Sequence, residues 1–176
     1  MESGKINSDL ACRSCGYNLR GLPFDHQCPE CGEPTLATVA DALSGVIPQA
    51  EDIRDDLRRQ LYLPVAEATG CTVDGVLFVI DATAAARSLA HAGAGTHITA
   101  SQVCGGILAH AARYFNDKAE AKELLSEWGI HRSEDVGRII FSMVEKGLIK
   151  AGDSDSIEQF NGLFTLESLF ENSDKN

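Results

Sequence analysis

The chain has 176 residues, 15 Lys and Arg against 26 Asp and Glu for a formal net charge of -11, and 44% apolar residues. That length suits one ordinary domain or a small module beside a medium one, and the composition excludes a collagen-like chain, a disordered polyelectrolyte and a disulfide-dense miniprotein. No apolar run reaches the roughly 18 residues of a membrane span, and the acidic excess speaks against non-specific nucleic-acid binding, which depends on Lys and Arg neutralising phosphates.

The texture changes near residue 36. Before it, Cys, Gly and Pro dominate, with three basic and five acidic side chains; after it, apolar residues recur at helical spacing. Four cysteines, Cys12, Cys15, Cys28 and Cys31, follow the pattern C-x2-C-x12-C-x2-C. Two-residue spacing lets a tight turn aim both sulfurs at one ion, and two such knuckles supply the four thiolates of a tetrahedral zinc site. Gly16 and Gly32 follow each pair, where a knuckle often needs a positive φ, and Pro29 fixes φ inside the second knuckle. His26 is a conceivable substitute ligand, but four well-spaced cysteines leave it no vacancy. A redox dithiol is the competing reading. So short a module cannot bury enough surface to fold alone, so the metal is expected to supply most of its stability. A closed four-thiolate shell has no open position for catalysis.

The segment from Cys15 to Pro23, Cys-Gly-Tyr-Asn-Leu-Arg-Gly-Leu-Pro, with Cys28-Pro-Glu-Cys-Gly32, resembles a zinc ribbon attached to many otherwise unrelated proteins of planctomycete-type bacteria. The resemblance implies zinc, not a particular activity.

Residues 37–48 read as a linker with a short amphipathic piece, and a first helix is expected from Gln49 to Leu63, with Ile53, Leu57 and Leu61 on one face and Asp55 paired with Arg59. Pro64 is expected to kink or break it. Val73–Leu89 is preferred as one buried helix on its length and its alanines; the alternative makes Gly75–Asp81 a strand and Gly93-Ala94-Gly95 a phosphate loop, although that loop lacks the full glycine spacing and a following Lys. Thr99 with Gln102 fits a capping box opening a helix to about Phe115. Asn116 or Asp117 caps the next, through Trp128, which Gly129 ends. Ser133 is expected to cap a third helix, with Glu134 and Asp135 in its first turn and a stripe of Val136, Ile139, Ile140, Met143 and Val144. After Gly147, Leu148-Ile149-Lys150 reads as a strand that returns through an acidic turn, Asp153 to Asp155, to Leu163-Phe164-Thr165, before a short helix with Leu166, Leu169 and Phe170.

This order predicts a mainly α protein: a zinc ribbon over 1–36, a linker over 37–48, and over 49–172 a helical domain whose C-terminal half is winged-helix-like, helices plus a β-hairpin. Glu134 and Asp135 at the head of the expected recognition helix, with Asp153, Asp155 and Glu158 on the expected wing, would repel phosphates, and Arg132, Arg138 and Lys146 are few cations to set against them. An acidic winged helix suits a protein partner better than DNA or RNA.

The same region resembles an uncharacterised protein family found mainly in planctomycetes and verrucomicrobia, over roughly residues 60–170. The resemblance is carried by His97-Ile98-Thr99, Trp128-Gly129-Ile130, Ser133-Glu134-Asp135, Gly137, Ile140-Phe141, Val144-Glu145 and the Asp155 to Phe160 segment, and departs at Ala100, Gln102 and Val103, where Gly, Glu and Leu are expected. It implies no activity, and its motif residues read as structural.

No nucleophile, base and orienter stand at suggestive spacing. His26, His91, His97, His110 and His131 are scattered, with His97 and His110 the one conceivable shared pair; Cys71 and Cys104 read as buried small hydrophobes, and Asp74 and Asp81 as solvated helix residues. The expectation is a zinc-binding, non-enzymatic interaction or regulatory protein of the cytoplasm with a protein partner and no membrane. A nucleic-acid-binding regulator is the alternative, and an enzyme with a cryptic pocket the least favoured.

Overall fold

A computed structural model describes residues 4–90 and 98–171. Among the described residues seven α-helices run in order: α1 Thr35–Leu43, α2 Arg54–Thr69, α3 Val73–Leu89, α4 Ala100–Tyr114, α5 Lys118–Glu127, α6 Ser133–Glu145 and α7 Leu166–Glu171, with 3-10 helices at Pro48–Ile53 and Ile157–Phe160. The chain divides into two compact units, Met1–Pro64 and Val65–Asn176. Among the described residues no single helix is long and apolar enough to cross a membrane.

The first unit holds the cysteine knuckles, α1, the first 3-10 helix and the start of α2. Its core draws on all of these: Ile6, Leu10, Leu19 and Phe24 from the ribbon, Val39 and Ala42 from α1, Ala50, and Leu57 and Leu61 from α2 are buried. Polar links bind the pieces. The Gln60 side chain accepts from the Asn7 N–H at 2.9 Å, and the Arg54 Nε donates to the Ala42 carbonyl at 3.1 Å. The composition boundaries near 36 and 48 both fall inside this unit, and most of the segment read as a linker is α1. Pro64 does not break α2, which runs on to Thr69. Pro64 has no N–H to give the Gln60 carbonyl and its ring crowds that oxygen, yet the helix continues past it.

In the second unit, Val73–Leu89 is one helix, as its length favours, and Thr72 caps it by accepting from the Gly75 N–H at 3.1 Å. The alternative strand is absent; the glycines at 93 and 95 lie outside the described residues. The alanines explain the packing of α3 on α4. A Cβ on Gly106 would stand 2.4 Å from the Ala82 carbonyl oxygen and 2.7 Å from the Ala86 Cβ, so the backbones touch where only small residues fit. The Thr99–Gln102 capping box opens α4 as expected: Gln102 Oε1 accepts from the Thr99 N–H and Thr99 Oγ1 from the Gln102 N–H. Asp117 caps α5, accepting from the Glu120 N–H at 2.8 Å.

The C-terminal part corrects two expectations. Ser133 is not the cap of α6. The N-cap position falls on Arg132, and the Asp135 carboxylate, in the first turn, reaches back to accept from the N–H groups of His131 and Arg132 at 2.8 and 3.1 Å. The winged-helix hairpin is also absent: among the described residues there is no strand at 148–150 or 163–165, only an isolated antiparallel bridge between Arg132 and Thr165. The donors a returning strand would give to a partner strand go to side chains. Ser133 Oγ accepts from Leu163 and Phe164, and Glu134 Oε1 accepts from Gly162 at 3.0 Å. The intervening chain folds as the second 3-10 helix against α6, where Phe160 sits on Gly137 so closely that a Cβ there would stand 2.9 Å from the ring.

Candidate metal centre

The two knuckles repeat one backbone scheme. The Cys12 N–H donates to the Tyr17 carbonyl and the Cys12 carbonyl accepts from Gly16; the Cys28 N–H donates to Glu33 and the Cys28 carbonyl accepts from Gly32, all at 2.8–2.9 Å. The turns close with φ of +78° at Gly16 and +76° at Gly32, a region open to glycine at little cost. Bridges Ala11–Asn18 and Gln27–Pro34 flank them.

This repetition brings the four sulfurs together, all within 4.8 Å of one another. Cys12 Sγ lies 3.6 Å from Cys31 Sγ, and Cys15 Sγ lies 3.6 Å from Cys28 Sγ. A tetrahedral ion with metal–sulfur bonds of about 2.3 Å needs sulfurs about 3.8 Å apart, so the set fits a metal ion and is compatible with zinc. The first cysteine of each knuckle is buried and the second exposed.

The thiols themselves favour a cation. Burial raises the Cys12 thiol, but the Ser14 and Cys15 N–H groups, with the Cys31 and Cys15 side chains, outweigh it and bring it down to about 7. Cys31 goes the other way: the Glu33 N–H lowers it, desolvation and the sulfurs of Cys15, Cys12 and Cys28 raise it, and it is pushed up to about 12. Cys15 is also raised, the Tyr17 N–H being outweighed by desolvation and by the Cys28 and Cys12 sulfurs. Four thiolates this close would set like charges within 4.8 Å of one another, which a positive ion among them offsets.

A charged clamp outside the sulfurs joins the knuckles to α1. Arg13 donates through Nε to Glu33 at 2.8 Å and through Nη1 to Asp41 of α1 at 3.0 Å, while its backbone N–H reaches Thr38 Oγ1 at 3.4 Å. Ser14 Oγ donates to the same Glu33 carboxylate at 3.1 Å. Sequence reasoning missed this clamp: its three charges lie up to 28 residues apart, and only Arg13, inside the first knuckle, carried a positional hint. An open cleft of about 850 Å³ borders Cys12, and the Arg13 and Asp41 side chains on its wall are already bonded to each other.

The remaining candidates do not join this cluster. His26 contributes its carbonyl, which accepts from the Thr35 N–H at 2.9 Å at the start of α1. His110 stacks with Phe78 at 5.0 Å in an aromatic group with Tyr114, Phe115 and Trp128. The residues at 91 and 97 lie outside the described residues, and with them the conceivable pair of His97 and His110. His131 lies by Ser126, 3.4 Å from its ring. Burial pushes the Cys104 thiol up to about 12, and burial also raises Cys71, whose Sγ contacts the Gly129 carbonyl at 3.5 Å. Neither thiol belongs to a candidate metal group among the described residues. Asp74 and Asp81 both lie on α3 and belong to no candidate metal group among the described residues.

No protein-family model, curated protein or solved structure matches the chain.

Proposed function

We propose that this chain is a zinc protein of the cytoplasm whose ion is structural and which works through contacts with another protein rather than by catalysis. One observation carries the metal reading: four cysteine sulfurs, from two knuckles of the same backbone form, within 4.8 Å of one another. Zinc suits an all-thiolate tetrahedral set, Cys12, Cys15, Cys28 and Cys31, and a shell closed by four protein ligands leaves no position for a substrate or water. None of the six cysteines is in a disulfide, which suits a reducing compartment. The resemblance of Cys15–Pro23 and Cys28–Gly32 to planctomycete-type ribbons points to the same metal.

The acidic surface supports a protein partner over nucleic acid. The net charge is -11, and thiolates around a divalent ion add about -2. At the head of α6, Glu134 and Asp135 face backbone donors, and Asp135 also holds the Arg138 guanidinium at 2.7 Å, so a cation that would have met phosphate is engaged.

Metal analysis of the purified full-length chain should find one zinc per chain, lost in Cys28→Ser; a chain with neither zinc nor iron overturns the metal reading. Native chromatography at physiological salt with mass spectrometry should recover the chain with a protein partner. Retention on DNA or RNA that declines with salt, with no protein partner, would favour the nucleic-acid alternative.

A further inference from the structure

The sulfur pairing carries a second property, which rests on the metal reading above. Each exposed cysteine stands against the buried cysteine of the opposite knuckle: Cys31 against Cys12, and Cys15 against Cys28, both at 3.6 Å. We propose that the centre is a hydroperoxide-sensitive switch that releases its ion by forming two disulfides across the knuckles, Cys12–Cys31 and Cys15–Cys28.

The chemistry follows the exposure pattern. With the ion bound all four cysteines are thiolates, so exposure decides the order, and Cys15 and Cys31, the exposed residues, meet the oxidant first. The Cys31 thiolate attacks the peroxide, the O–O bond breaks, and sulfenic acid forms with one alcohol (water from hydrogen peroxide) after a proton is taken up. The Cys12 thiolate attacks the sulfenic sulfur, forming the S–S bond and expelling hydroxide, which is protonated to water. Each disulfide thus gives two electrons to one hydroperoxide, and Cys15 with Cys28 repeats the step. Two hydroperoxides consume all four ligands and release one divalent ion.

The crossed connectivity follows the two sulfur contacts between the knuckles. Closing from 3.6 Å to a disulfide bond takes about 1.5 Å of sulfur movement. A bond within a knuckle would instead draw Cys12 Sγ toward Cys15 and away from Cys31, inside the turn where the Gly16 N–H holds the Cys12 carbonyl. Crossed bonds leave both turns intact. They also replace the ion as the tie between the knuckles, so the Arg13–Glu33–Asp41 clamp survives and reduction restores a site ready to reload.

The zinc-loaded full-length chain is treated with hydrogen peroxide, released zinc is followed with a chromogenic chelator, and remaining thiols are alkylated. Cleavage after Arg13, Arg20 and Glu30 separates all four cysteines for mass spectrometry. The expected result is Cys12–Cys31 and Cys15–Cys28, with one zinc released per two disulfides and full reloading after reduction. In Cys31→Ser, the Cys15–Cys28 bond alone should form, with Cys12 still alkylatable. Bonds within a knuckle, Cys12–Cys28 with Cys15–Cys31, or sulfinic acid without disulfide would overturn the proposal. A chain that carries no metal before oxidation fails the metal reading instead, and the pairing is then read on the reduced metal-free chain.

Discussion

Glu134 and Ser133 show how single polar side chains decide the shape of the C-terminal segment. Glu134 lies on the surface, yet its carboxylate holds the Gly162 N–H, and this bond above all others, followed by its own N–H, lowers its pKa from the usual value of 4.5. A depressed carboxylate stabilises the fold above its unfolded value and loses that contribution as pH falls through the folded one. Acid titration should therefore weaken the 133–166 region below pH 4.5, read as faster amide exchange at Gly162, and Glu134→Gln should blunt that pH dependence. Ser133 is fully buried and accepts from both Leu163 and Phe164. Ser133→Ala strands those donors, and leaving buried donors unmet costs about 1–3 kcal/mol. Urea unfolding of the variant against the parent measures the loss; an unchanged midpoint would mean that water replaces the hydroxyl.

Elements were legible where a local rule governs them. Cysteine spacing marked both knuckles, Thr99 and Gln102 marked the start of α4, and length with alanine content chose helix for α3. The expected hairpin is absent because strand composition at Leu148-Ile149-Lys150 and Leu163-Phe164-Thr165 does not reveal the groups that capture the backbone of 162–164, Ser133 and Glu134, which lie 28–31 residues away. Ser133 fails as a cap for the same reason: its hydroxyl serves a distant loop, and the N-cap position falls one residue earlier, on Arg132. The α3–α4 crossing is the element-scale contact with least tolerance. Gly106→Ala would place its Cβ 2.4 Å from a backbone oxygen, which no side-chain rotation relieves. Overpacking of this kind costs about 1–3 kcal/mol or more, so the variant should unfold at clearly lower urea, and Gly105→Ala, one position along with open space at its Cβ, should not.

At the scale of the molecule, the boundary lies after Pro64 rather than near residue 36, and the reason is burial. The composition shift marks where cysteines and glycines stop, but Val39, Ala42, Leu57 and Leu61 belong to the same compact unit as Ile6 and Leu19. The ribbon therefore does not have to fold on its own metal alone; it shares a core with α1 and the start of α2. Structural zinc still contributes on the order of 10 kcal/mol in small domains, more than such a core is expected to supply without it. Stripping the metal with a chelator under reducing conditions should then release the whole first unit. Amide exchange should rise from the knuckles through α1 and the first 3-10 helix, not stop at residue 36, while α3, α4 and α6 keep their protection. Cys12→Ser should reproduce that pattern. Exchange confined to residues 4–36, with α1 still protected, would mean instead that α1 and α2 hold together without the ribbon, and that the metal organises only its own knuckles.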